Sequence, residues 1–125
     1  MLTVDRDIAA APAAVWRLLV DLDAWPKWGP TISGGRLDAP YTELGPHVTG
    51  TVQTSLLVSV PFVVTEFEAG RSWAWRVAGV PATRHRVEPR GDGARAFMDV
   101  PWWAAPYATV CAIALRRIDA MLTGG

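Results

Sequence analysis

Few side chains in this sequence of 125 residues offer chemistry, and His85 is the foremost of them. An imidazole on the dry side of a sheet, within reach of a substrate carbonyl or hydroxyl, is suited to general acid–base work near neutral pH. The commoner role of a lone histidine is structural, hydrogen-bonded here to Thr83, Tyr107 or a backbone carbonyl, and lining a pocket without chemistry comes next. Tyr107, at the start of the last predicted helix, has a hydroxyl to lend to a ligand carbonyl or to anchor that helix. Asp99 is better placed to pair with Arg84 on an outer face than to act as a catalytic acid. Asp21 caps or terminates a local helix turn, and Cys111 reads as a small buried hydrophobe. The remaining candidates are surfaces. Trp73 and Trp75 present flat walls to an aromatic or polyene ligand, or pack as core. His47 and His85 are the only histidines and Cys111 the only cysteine, and no spacing resembles a metal site, so no metal or cofactor is expected. Phosphate-cradling loops, dinucleotide fingerprints and nucleophile elbows are likewise missing from the sequence.

The elements that must position these residues begin with one hairpin. If Gly91-Asp92 is a two-residue turn, Glu88 meets Arg95 and Arg84 meets Asp99 on one face. On the other face His85 meets Met98, Val87 meets Ala96 and Thr83 meets Val100. Slipping the pair by one residue sets charged positions against apolar ones throughout, so this register is favoured. In the preceding strand Trp73, Trp75 and Val77 alternate against Ser72, Ala74 and Arg76. A connection at Gly79-Val80-Pro81 that preserves the faces puts Trp75 or Val77 beside His85. The sheet therefore has a wet face bearing arginines and a dry face bearing tryptophan, methionine, valine and one histidine.

A last helix, predicted over residues 105–122 and stopped by Gly124-Gly125, must cover that dry face. Its inward stripe takes in Tyr107, Val110, Cys111, Ala114, Ile118 and Met121 or Leu122. Small residues (Ala104, Ala108, Cys111, Ala114) then face large indoles, which means either close packing or an internal void. Trp102 and Trp103 are adjacent and cannot both face inward on a strand, so one of them is expected at a pocket rim or a dimer contact. The predicted pocket walls are Trp73, Trp75, Val77, Val87, Met98, Val100, Trp103, Val110, Cys111 and Ala114.

Upstream, Val4 to Ala10 reads as a first strand and Pro12 as the opening of a helix with Val15, Leu18 and Leu19 on its apolar stripe. Trp25-Pro26-Lys27-Trp28 suggests a short second helix. From Ile32 to Val100 the text is strand-like, with turn signals at Ser33-Gly34-Gly35, Leu44-Gly45-Pro46, Ala69-Gly70 and Gly79-Val80-Pro81. Repeats and linkers are lacking, so one α+β domain over residues 1–125 is expected. Twelve basic residues balance twelve acidic ones, which argues against nucleic acid as a partner. The charged N-terminal stretch is unlike a signal peptide, and the longest apolar run, Leu56 to Val64, is too short to span a bilayer. A cytoplasmic protein without membrane insertion, monomeric or homodimeric, is the expectation.

Three stretches carry a family resemblance. The first is Ile8-Ala9-Ala10-Ala11-Pro12 with Val15-Trp16, Leu19, Asp21 and Trp25-Pro26-Lys27-Trp28-Gly29-Pro30. The second is Phe67-Glu68-Ala69-Gly70-Arg71-Ser72-Trp73-Ala74-Trp75. The third is His85-Arg86-Val87-Glu88-Pro89 followed by Gly91-Asp92-Gly93-Ala94-Arg95. Together and in this order they resemble the SRPBCC (START-like, polyketide cyclase/dehydrase-type) superfamily. That resemblance implies a helix-grip fold, with a curved antiparallel sheet of about seven strands around a long C-terminal helix and two short helices after the first strand. It also implies an apolar cavity between sheet and helix for lipids, hormones, polyketides or similar molecules. The chain is short between its fourth strand and last helix, so a small or open cavity is expected. The polar constellation of aromatic polyketide cyclases is not matched residue by residue.

Function stays open among three readings, because the fold hosts several. One is a module that holds a small hydrophobic or aromatic ligand. Another is a cofactor-independent cyclase or dehydratase that shapes a reactive substrate, with His85 and Tyr107 moving protons. The third is a non-enzymatic stress-response or protein-interaction module.

Overall fold

The computed structural model describes residues 1–124. Strand β1 (Leu2–Ile8) leads into α1 (Pro12–Val20) and the single turn α2 (Trp25–Trp28). Six strands follow: β2 (Ile32–Leu37), β3 (Thr49–Thr54), β4 (Ser59–Glu68), β5 (Ser72–Val77), β6 (Val80–Arg90) and β7 (Gly93–Val100). A one-turn 3₁₀ helix (Trp102–Ala104) then precedes α3 (Tyr107–Thr123). The seven strands form one sheet in the order β1-β7-β6-β5-β4-β3-β2, and every neighbouring pair is antiparallel. The helix α3 lies against β1 and β7 and touches both short helices. The helix-grip expectation is met. No helix among the described residues is long and apolar enough to cross a membrane.

Local chemistry explains the element ends. Ala11 is extended, as a residue before proline prefers, and Pro12 starts α1 where its missing N–H costs nothing. The first strand therefore ends at Ile8 rather than running to Ala10. At the other end Gly124 takes a left-handed φ of 74° and its N–H returns to the Ala120 carbonyl, which closes α3. The companion glycine, Gly125, lies outside the described residues.

The β6–β7 register is the one read from the Gly91-Asp92 turn, with Glu88 opposite Arg95, Val87 opposite Ala96, His85 opposite Met98 and Arg84 opposite Asp99. The charged side chains nevertheless choose other partners. Arg86 forks onto both carboxylate oxygens of Asp99 at 2.8 and 3.1 Å, while Arg84 reaches Glu66 and Arg95 reaches Asp5 and Asp7. Long guanidinium side chains reach diagonal and next-strand neighbours as easily as the residue directly opposite. Asp99 is also buried on its outer face, where Thr3 of β1 donates a hydrogen bond to it.

Two turn signals resolve differently. Ser33-Gly34-Gly35 is no turn but part of β2, with a bulge between Ile32 and Gly34. A Cβ on Gly35 would stand 3.0 Å from the Trp25 ring, so glycine is there to let an indole lie on the strand. The β5–β6 turn is only Ala78-Gly79, both with positive φ, and Val80 and Pro81 already belong to β6. This shorter turn makes Trp73 the cross-strand partner of His85, while Trp75 still lies beside the ring, edge-on at 6.0 Å.

On α3 the buried residues are Cys111, Ala114, Leu115 and Ile118, while Leu122 packs against the core and Met121 is exposed. Leu115 therefore joins the stripe predicted from spacing. An Arg6–Asp119 ion pair at 2.7 Å fastens the helix to β1.

Gly50 of β3 provides a direct test of packing against Phe62 of β4. An added Cβ would lie 2.4 Å from the Arg36 carbonyl oxygen and 2.7 Å from the Phe62 ring, and backbone gives way less easily than a side-chain tip. Gly50→Ala is expected to cost about 2 kcal/mol of stability, read from the shift in urea midpoint at unchanged slope. An unchanged midpoint would refute the close approach.

Candidate functional site

The site begins at the end of α1. The last carbonyls of a helix lack intrahelical partners. Here indole N–H groups fill the vacancy: Trp28 donates to the Leu18 carbonyl at 2.9 Å, and Trp25 and Trp73 both donate to that of Leu19, at 3.0 and 3.2 Å. Each buried tryptophan thus has its one polar atom satisfied, which lets these large rings enter the interior.

The rings then stack. Trp25 lies on Trp73 (centroids 5.6 Å apart, planes at 13°), and Trp73 lies on His85 (4.1 Å, 19°). Trp75 meets Trp25, Trp73, His85 and Phe62 edge-on. This block occupies the centre of the cup. Small helix residues opposite large indoles therefore mean close packing at depth. The cavity left beside His85, Met98, Tyr107, Cys111 and Ala114 is about 30 Å³.

His85 is held at both ring nitrogens. Nδ1 faces the Trp73 carbonyl at 3.3 Å, which can only accept, so that nitrogen carries the proton. Nε2 is then the acceptor for the Thr83 hydroxyl at 3.1 Å, and the Thr83 oxygen in turn accepts from the Trp75 indole at 3.1 Å. This tautomer is assigned from the network. A bulge creates the alignment, because β6 places two residues, Ala82 and Thr83, opposite Trp75 alone. Burial pushes the His85 pKa down to about 4, and the Trp73 carbonyl and Asp99 charge oppose that only in part. The ring is neutral near pH 7.

The large pocket lies nearer the mouth of the cup and measures about 640 Å³. Of the residues predicted from sequence, Trp75, Val77, Val100, Trp103 and Tyr107 line it. Trp73, His85, Met98, Val110, Cys111 and Ala114 line only the small inner cavity. Val87 is buried in the core and lines neither. Trp102 and Trp103 occupy the 3₁₀ turn and are both exposed, with Trp103 folded over the pocket mouth. His85 takes the hydrogen-bonded arrangement expected of a structural histidine, with Thr83 and a backbone carbonyl as its partners, and it borders the inner cavity and not the large pocket.

Sequence reading missed the opposite wall, including Thr31, Ile32, Val52, Leu56 and Ala82. One signal was available, since Leu56-Leu57-Val58 is an apolar run in a turn, where polar residues are usual. Tyr107 and Thr31, both half-buried on the pocket wall, join through a 2.6 Å hydrogen bond between their hydroxyls. Burial raises the Tyr107 pKa above that of an ordinary phenol, and the same cause pushes the Cys111 thiol up to about 11. Cys111 is therefore an inert thiol. Among the described residues, no three His, Cys, Asp or Glu side chains gather as a metal site would require.

A family model described as "Polyketide cyclase / dehydrase and lipid transport" matches residues 1–123. No curated protein matches the chain. Solved structures with the same fold include XoxI from Bacillus cereus, at 14% identity and a TM-score of 0.74, covering 97% of this chain and 94% of that one. Protein NE0264 from Nitrosomonas europaea is 19% identical with a TM-score of 0.70, covering 98% and 94% of the two chains. The Aha1 dimer from Colwellia psychrerythraea is 14% identical with a TM-score of 0.67, covering 98% and 96%.

The buried imidazole makes stability depend on pH. Its ordinary pKa of 6.5 applies when the chain unfolds, whereas the folded value is about 4. Between these values the unfolded chain binds a proton that the folded one rejects. The stabilisation is therefore complete above pH 6.5 and falls away as pH drops to 4, by about 3 kcal/mol in all. Urea midpoints measured across that window should fall with pH for the wild type and much less for His85→Gln. Parallel curves for the two proteins would contradict a buried neutral ring.

Proposed function

The chain belongs to the polyketide cyclase / dehydrase and lipid transport family, and from that membership we propose that it binds a small hydrophobic molecule in the pocket at the mouth of the cup. The observation that carries this reading is the pocket itself, about 640 Å³ and walled by Trp75, Val77, Val80, Val100 and Trp103. Its size is in the range of small-molecule sites. The rim adds support. Leu56 is 84% exposed and Trp103 64%, and both line the pocket. Apolar side chains grouped at the edge of an apolar hollow gain from a ligand that covers them.

Binding is preferred over cyclase or dehydratase chemistry because of where the proton-transfer candidates stand. His85 has both nitrogens engaged, is neutral, and stands behind Thr83 and Trp75, which line the large pocket where it does not. In this reading it holds Trp73 and Thr83 in place. Tyr107 does line the pocket, but with no charged partner beside its hydroxyl to draw the proton away.

Titration with the uncharged fluorophore N-phenylnaphthylamine tests the site. Saturable binding is expected, with an affinity at least about tenfold weaker for Ala104→Phe, whose ring would occupy the pocket. Equal binding by the two proteins would remove this pocket as the site. Native mass spectrometry of the purified protein should show a co-purifying apolar molecule that Ala104→Phe lacks.

A further inference from the structure

The pocket has no charge anywhere on its wall. Its lining is aliphatic and aromatic, interrupted by hydroxyls at Thr31, Thr54, Ser55, Thr83 and Tyr107, with no Asp, Glu, Lys, Arg or His. A carboxylate or phosphate drawn inside would lose hydration and gain no ionic partner. An uncharged polar group needs only one hydrogen bond to enter without penalty.

Most of those hydroxyl protons are already committed. Thr83 gives its proton to His85, and Thr54 gives its own to the Val58 carbonyl at 3.1 Å. Ser55 and Trp103 stand at the exposed mouth, where water serves them. The Thr31–Tyr107 pair is different. Two hydroxyls bring two protons, and the 2.6 Å bond between them consumes one, whichever oxygen donates. One proton is left over, on a half-buried pair in the wall of the large pocket, where Tyr107 also borders the inner cavity.

We propose that this pocket selects an uncharged apolar molecule carrying one acceptor oxygen, a ketone or ester carbonyl, and that the spare proton of the Thr31–Tyr107 pair is its single polar anchor. The inference rests on the pocket being a ligand site and adds the class of ligand. It excludes free fatty acids and phosphorylated molecules bound head-first. It also makes the two hydroxyls interchangeable in part: deleting either one frees the proton of the other, whereas deleting both removes the donor.

Three probes of matched shape separate the possibilities by calorimetry: acetylnaphthalene, ethylnaphthalene and naphthoate, substituted at the same ring carbon. The ketone is expected to bind about three- to tenfold tighter than the hydrocarbon, the worth of one hydrogen bond. Naphthoate is expected to bind at least about tenfold more weakly than the ketone. Tyr107→Phe and Thr31→Val singly should each keep a preference for ketone over hydrocarbon. The double variant should bind both equally, and its ethylnaphthalene binding, no weaker than that of the wild type because the wall has become more apolar, shows that the pocket has kept its shape. Equal binding of ketone and naphthoate by the wild type, or a ketone preference that survives in the double variant, would overturn the proposal while leaving the pocket a binding site. If none of the probes binds, the reading of the pocket as a ligand site fails and this inference falls with it.

Discussion

The interior of this protein is organised by the last carbonyls of α1. A buried indole must find an acceptor, and a helix end must find donors. Leu18 and Leu19 answer both needs at once, accepting from Trp28, Trp25 and Trp73. With those N–H groups anchored, Trp25 can lie face-on over Trp73, and Trp73 over His85. Gly35 follows from the same constraint, since the strand beneath Trp25 has no room for a side chain. The volume that the cup would otherwise enclose is filled, and the usable space moves outward to the region between β3, β6 and the 3₁₀ turn.

The histidine belongs to that scaffold. Its ring closes the aromatic stack, its Nδ1–H meets the Trp73 carbonyl, and its Nε2 orients Thr83. Every polar atom in the Trp75–Thr83–His85–Trp73 chain has a partner, the condition under which a buried polar network favours one arrangement. Thr83 links His85 to the pocket by a hydrogen bond, and like Trp75 it lines both the large space and the inner cavity. A change at His85 would thus reach a ligand through the position of a hydroxyl. Of the two residues with the most chemistry by type, Tyr107 stands at the pocket surface and His85 does not.

Much of this was legible in the sequence, and the misses have physical causes. The β6–β7 register followed from turn residues and charge alternation, because a slip of one would have exposed Met98 and buried arginine. The helix grip and the burial of Cys111 and Ala114 followed from spacing and from the family resemblance. The partner of His85 did not, since it depended on whether Val80 and Pro81 were turn or strand, and a proline at a strand's beginning looks the same in either case. Gly34-Gly35 misled for a related reason: glycine signals both a turn and a close approach, and only the tryptophan overhead distinguishes them. The missing pocket wall came from distant segments, Thr31 and Leu56, which no single hairpin could bring into view.

The pairing of β1 with β7 has a kinetic side. Leu2 stands opposite Val100, and Arg6 of β1 is clamped to Asp119 of α3, so the two ends of the fold support one another. During synthesis the emerging strands have neither the helix that covers their dry face nor the partner that completes the sheet. Trp25, Trp73 and Trp75 pack on one another and on α1, but α3 follows every strand in the sequence. Contacts separated by almost the full chain length are slow to form, because their loop-closure entropy is lost before they contribute. A cup whose first strand is held by its last strand and last helix is expected to close in a late step, and until then its aromatic interior is surface that a chaperone could shield.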